Sequence, residues 1–214
     1  LVDAEILFQK GKVPDASFIF KHALIQDSAY NSLLTKRRQH MHSRIASALE
    51  SRFPEIVHRQ PELLAHHFTE AAQPEKAVEY WLKAGVKAQL VSANVEAIAQ
   101  LRRGLEVLQT LAPSRERDQL ELSFQATLGP VLMAARGWSA PEVGVAIARA
   151  RQLVSEFGSV TDQFFVMWGL WGWQLIRGDM ECVQVAEDLL QFVESTPEAQ
   201  ELKSEAYWVV AGTD

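Results

Sequence analysis

The sequence predicts an all-α fold, an array of helical hairpins preceded by a short β-hairpin. Three observations carry this reading. A large residue followed four positions later by glycine recurs at a steady interval, every break after residue 60 carries helix-start chemistry, and β-prone runs are confined to the first 20 residues.

Ile6-Leu7-Phe8 and Ala16-Ser17-Phe18-Ile19-Phe20 flank a Gly11 to Asp15 turn that contains Gly and Pro, which reads as a hairpin. From His22 the period changes. Ala23, Ile25 or Gln26, Ala29, Tyr30, Leu33 and Leu34 recur at three- and four-residue steps, as one buried helical face requires. A second helix is expected from about Lys36 to Arg52, with Met41, Ile45, Ala46 and Leu49 inward, and Phe53-Pro54 stops it. Gln60-Pro61-Glu62 and Gln73-Pro74-Glu75 place Pro at a first helical position with an acid in the first turn. Ser139-Ala140-Pro141-Glu142 and Ser195-Thr196-Pro197-Glu198 have capping-box spacing. Helices are therefore expected near 61–72, 75–91, 94–111, 115–135, 141–157, 161–177, 180–194 and from 198 onward.

Trp81-Leu82-Lys83-Ala84-Gly85 recurs as Trp168-Gly169-Leu170-Trp171-Gly172 and as Trp208-Val209-Val210-Ala211-Gly212, with a weaker copy at Gln125 to Gly129. The glycines lie about 40 to 44 residues apart, a period of helical-hairpin arrays. The large residue fills the space between stacked hairpins, and the glycine removes a side chain where two helices cross closely. Ala97, Leu101 and Gly104, and Ala146, Ala150 and Leu153, supply the facing helices. The last helix, with Tyr207, Trp208, Val209 and Val210, lacks its hairpin partner. Its apolar face is expected to pair with another chain or fray.

Composition bounds the function. Of 214 residues 48% are hydrophobic and 22% charged, which excludes a disordered chain. The single cysteine, Cys182, permits no internal disulfide and points to a reducing compartment, the cytoplasm. The apolar run from Phe164 to Ile176 falls short of the roughly 20 residues of a spanning helix. A net charge of −6 argues against nucleic acid, and Lys36, Arg37, Arg38 and Arg44 read as a solvated helix face. The chain opens on Leu1 without a signal-peptide pattern and reaches Asp214 within an apolar helical pattern, so both ends read as domain cuts.

No catalytic constellation emerges. Gly11-Lys12 lacks the remainder of a phosphate loop, no Gly-x-Ser-x-Gly elbow occurs, and all six histidines fall within the first 67 residues, away from Cys182. His40 and His42 are two apart and His66 and His67 adjacent, whereas one helix converges ligands at three or four steps. No metal site is expected, and no cofactor. Phe164, Trp168, Trp171 and Leu175 form a stripe with Trp173 to one side. Trp168, Trp171, Trp173 and Trp208 are the candidate partner-binding residues, because any tryptophan left on a concave surface is a natural anchor.

The Trp-x-x-Ala-Gly element followed by Ala97, Leu101 and Gly104 resembles the tetratricopeptide pattern, although the period exceeds the usual 34. Phe20 through Tyr30, Arg38 through His42 to Glu50, and Gln60 through Phe68 together resemble a family of large predicted bacterial ATPases. In that family a class III adenylate or guanylate cyclase domain is often followed by a STAND-type AAA ATPase and then a tetratricopeptide-like region. The resemblance implies that residues 1–34 end a winged-helix-like module, that 35–60 form a linker helix and loop, and that 61–214 are repeats. It implies that His22 senses the bound nucleotide in the parent protein, against which stands a plain capping or core histidine. The expected function is a non-catalytic, cytoplasmic scaffold. It would bind a protein or peptide, or the ATPase core of the same polypeptide, with self-association through the last helix. The alternatives are a piece of a STAND-type transcriptional regulator, which needs a DNA-reading domain elsewhere, and an enzyme, which needs a pocket of convergent polar groups.

Overall fold

A computed structural model describes residues 6–12 and 16–213. Strands β1 (Leu7–Lys10) and β2 (Ser17–Phe20) pair antiparallel, with Leu7 opposite Phe20 and Lys10 opposite Ser17. Residues 13–15 of the expected turn lie outside the described residues; Gly11 enters it at φ +88°, a conformation that glycine adopts without strain. Eleven α-helices follow among the described residues. They are α1 (Ala23–Asn31), α2 (Thr35–Arg52), α3 (Pro54–Arg59), α4 (Pro61–Glu70), α5 (Pro74–Leu90), α6 (Asn94–Leu108), α7 (Arg115–Arg136), α8 (Pro141–Phe157), α9 (Val160–Arg177), α10 (Glu181–Ser195) and α11 (Lys203–Ala211). A 3-10 helix, Pro197–Leu202, leads into α11, where one continuous helix from 198 was expected.

From α4 onward each helix packs on the next, and α5–α6, α7–α8 and α9–α10 form successive hairpins, with α11 packed on α10. Alternate helices also touch, α5 with α7 and α7 with α9, so the first helices of the hairpins share one face of the array. The main core runs from Ala46 of α2 through Leu64, Phe68, Val78, Leu101 and Phe124 to Ile147 of α8. Phe164, Leu189 and Ala206, and Trp171, Ala186 and Val209, extend it to α11.

Glycines in these helices are notches for neighbouring side chains. A Cβ on Gly85 of α5 would lie 2.4 Å from Leu101 Cδ2 of α6. On Gly104 of α6 it would lie 2.3 Å from Phe124 Cε1 of α7 and 2.9 Å from Trp81 Cβ of α5. Gly144 of α8 receives Trp173 of α9, and Gly172 of α9 receives Trp138, each with ring atoms within 2.5 Å of the missing Cβ. The filler comes from another segment, as expected of one helix presenting a large residue and another receiving it, but the fillers are Leu101, Phe124, Trp173 and Trp138, with the motif residue Trp81 reaching Gly104 only through its Cβ. Gly212 departs from the pattern: it caps α11, and the nearest side-chain atom, in Trp171, is 3.7 Å from its missing Cβ. Gly129, in the weaker copy, faces open space.

Three helix ends share one turn. Ala72, Ser92 and Gly178 take left-handed φ of 54°, 57° and 69°. The residue after each donates its amide hydrogen to a carbonyl five positions back: Gln73 to Phe68, Ala93 to Ala88 and Asp179 to Gln174. Polar ties fix neighbours. Arg149 of α8 holds Glu121 of α7 through two bonds of 2.5 and 2.7 Å, which keeps that carboxyl below its ordinary range. Glu50 of α2 accepts from Lys76 and Tyr80 of α5; burial and then this bond push the Tyr80 phenol up to about 12.

Several local expectations need correction. α2 does end at Arg52 before Phe53-Pro54, but the segment after it is not only a loop: Pro54 opens the short helix α3 at its first position, where its missing N–H is harmless. Neither expected capping box forms, because the residue before each Pro, Ala140 or Thr196, takes the N-cap and leaves Ser139 and Ser195 one place too early. The box that does form is Ser159 with Asp162 at α9, and Ser114 caps α7. α1 buries none of its residues, so its apolar stripe has no cover among the described residues. α2 is rotated from the expected face: His42 and Ala46 are buried, while Met41 and Ile45 are 44% and 41% exposed.

Candidate functional site

A groove of about 560 Å³ lies between α7 and α9, on the face formed by the first helices of the hairpins. Its walls are Met133 and Pro130 of α7, Phe165 and Trp168 of α9, and Trp138 from the α7–α8 turn, over Ile147 of α8. Each wall residue has a local cause. Gly129 carries no side chain and its Cβ direction is open, so the groove floor stays clear. Pro130 lies within α7 and has no amide hydrogen for the carbonyl of Ala126, another lining residue. Gly137, at φ +87°, ends α7 and turns Trp138 back onto Trp168, ring centroids 5.4 Å apart.

Asp162 is the one charged lining residue, and it is engaged. It accepts from the Ser159 backbone N–H at 2.9 Å and from the Ser159 hydroxyl at 2.7 Å. The groove thus presents apolar and aromatic surface without the set of convergent polar groups that orients a small polar substrate. A shallower depression of about 410 Å³ continues from it past Phe165 and Trp168 to Ser204, Glu205 and Trp208 of α11.

Two of the four tryptophans expected to bind a partner border these depressions. Trp168 lines both, half-buried, and Trp208 is 63% exposed on the second. Trp171 is buried, donates to the Thr213 hydroxyl at 2.8 Å and meets Trp208 edge-on. Trp173 lies apart, set into the notch of Gly144, with its Nε1 donating to the Ala140 carbonyl and Arg177 over its ring. Sequence reasoning missed Trp138 and Phe165. Trp138 stands between helices, outside any periodic pattern, and Phe165 is adjacent to the buried Phe164 and so falls off the core stripe. The signal for Trp138 was the preceding Gly137.

His22 is exposed at the N-cap of α1, and its side chain makes no capping bond. Three of the remaining histidines, His42, His66 and His67, are brought together in a way that spacing within one helix could not disclose. His42 of α2 faces both His66 and His67 of α4, with Nδ1 of His42 2.8 Å from Nδ1 of His67. Burial, then the neighbouring imidazoles, hold His42 and His67 below the ordinary imidazole range. For His42, Arg38 acts in the same direction and Glu70 against it.

No family model matches the sequence. The chain is similar to an uncharacterized protein of Rhizobium meliloti (strain 1021), 31% identical over 166 residues that make up 75% of this chain and 16% of the relative. The matched region thus spans about a sixth of the length of that relative. No helix among the described residues is long and apolar enough to cross a membrane.

Proposed function

We propose that this chain is a non-catalytic protein-interaction scaffold of the tetratricopeptide-like kind, whose α7–α9 groove receives apolar side chains of a partner peptide or protein segment. The observation that carries the reading is the exposed aromatic wall of the groove: Phe165 is 56% exposed beside Trp168, over a floor opened by Gly129. Exposed aromatics with little side-chain entropy to lose are the usual anchors of such contacts. In the parent protein the scaffold serves as the regulatory repeat region of a cytoplasmic bacterial signalling ATPase linked to cyclic-nucleotide synthesis, and the ATPase core of the same polypeptide is one partner. The resemblance of Phe20 through Phe68 to that ATPase family supports this, as do the apolar Phe8, Phe18, Ile19 and Leu24, exposed where a winged-helix-like module would continue. Self-association is a second reading, favoured by Trp208 on α11.

Selection of displayed peptides against the whole chain tests the groove. Ligands rich in aromatic or aliphatic anchors are expected, and Phe165→Ser or Trp168→Ala should weaken them at least about 10-fold. The exposed Phe165 makes the first variant the safer one for folding. Ligands that bind both variants as tightly as the parent chain would remove the groove as the site.

A further inference from the structure

His42, His66 and His67 each offer a ring nitrogen, and these three atoms all lie within 4.8 Å of one another. They come from two helices. The adjacent pair on α4 points its rings to the flank where α2 lays His42, 8% exposed, against them. Zinc–imidazole bonds of about 2.0–2.1 Å in tetrahedral geometry separate ligand nitrogens by about 3.4 Å. The 2.8 Å between the Nδ1 atoms of His42 and His67 and the 4.8 Å outer limit bracket that spacing. Small ring rotations therefore suffice to surround an ion.

The far side of His42 is equally informative. Its Nε2 lies 2.9 Å from the Tyr30 hydroxyl of α1, and that hydroxyl donates to Glu70 Oε2 of α4 at 3.5 Å. With Glu70 ionised and accepting from the Tyr30 hydroxyl, the Tyr30 oxygen accepts a hydrogen bond from the Nε2–H of His42. This tautomer leaves the lone pair of His42 on Nδ1, the atom directed at His67. Carboxylate-backed hydrogen bonding of this kind orients metal-binding imidazoles.

We propose that His42, His66 and His67 form a binding site for a divalent transition-metal ion of the zinc class, with Tyr30 and Glu70 as its outer shell and water in the fourth position. Three neutral imidazoles select zinc, nickel or copper over magnesium and calcium, which take oxygen ligands. The exposed edge of His66 gives the ion its entry. The ion would clamp α2 to α4 and, through Tyr30, fix α1, which buries no residue of its own.

Isothermal titration of the tag-free chain with zinc chloride is expected to show one ion bound per chain, and magnesium chloride no binding. His66→Ala should weaken zinc at least about 100-fold and Tyr30→Phe about 10-fold, since outer-shell partners contribute on that scale. His40→Ala, on the same helix as His42, should leave affinity unchanged. His66 is exposed, so its loss should not disturb the helices, and circular dichroism identical to the parent chain checks this. Absence of zinc binding, or zinc binding indifferent to both His66→Ala and His67→Ala, would overturn the site and leave a hydrogen-bonded histidine cluster.

Discussion

Phe124→Ala is expected to lower the unfolding free energy by about 3–5 kcal/mol, the cost of removing a fully buried aromatic from a packed core. The position magnifies the loss. Phe124 of α7 places Cε1 and Cζ over Gly104 of α6, so it joins one hairpin to the next. Removal leaves a cavity where two helices touch, facing an α6 position, Gly104, that has no side chain to fill it. Urea unfolding with an unchanged slope would report this as a lower midpoint. A loss below about 1 kcal/mol would mean that the interface collapses around the gap and that Phe124 is not its keystone.

Gly104→Ala is expected to destabilise by about 1–2 kcal/mol net, an overpacking cost at the upper end of about 1–3 kcal/mol outweighing the roughly 1 kcal/mol by which alanine is the better helix former. Two contacts decide the sign. The new methyl would lie 2.3 Å from the Phe124 ring and 2.9 Å from Trp81 Cβ. The fully buried Phe124 ring has little room to tilt, and Trp81 Cβ is fixed to the α5 backbone, so α6 must shift against both neighbours. Gly129→Ala is the contrast: no neighbouring helix comes within 4 Å of its Cβ, and the helix-propensity gain of about 1 kcal/mol is offset by crowding against the ring of the following Pro130, so the change should be close to neutral. Both changes are read by the same unfolding experiment. Equal effects at the two glycines would contradict the notch reading.

Periodicity made most of the helical array legible in the sequence, because an amphipathic helix must repeat its apolar residues wherever it packs. Pro61 and Pro74 open α4 and α5 as their chemistry requires. Gly85 sits at a close helix contact, as a recurring glycine at hairpin spacing suggests, whereas Gly172 receives the Trp138 ring from the α7–α8 turn. Gly212 misled, since a glycine after an apolar run reads alike as a notch or as a helix end. The left-handed turns at Ala72 and Ser92 were invisible for the converse reason: the chain uses ordinary residues where glycine would have announced the turn.

The candidate sites were less legible because they depend on which helices meet. Trp171 and Trp208 look alike in sequence, yet one is buried and the other 63% exposed, a difference set by the position of α11. The face of α2 was misjudged because Met41 and Ile45 are more apolar than His42, while the tie from His42 to Tyr30 turns the histidine inward. The histidine cluster spans 25 residues of chain, so spacing within either helix could not reveal it.

A double-mutant cycle on Gly104→Ala and Phe124→Leu tests most directly whether the array is held by side chains seated in glycine notches. Leu lacks the ring atoms that meet the new methyl. The double variant is therefore expected to be more stable than the sum of the two single losses predicts, by at least about 1 kcal/mol. Strictly additive losses would show that the two positions do not share a contact, and the packing account would fail.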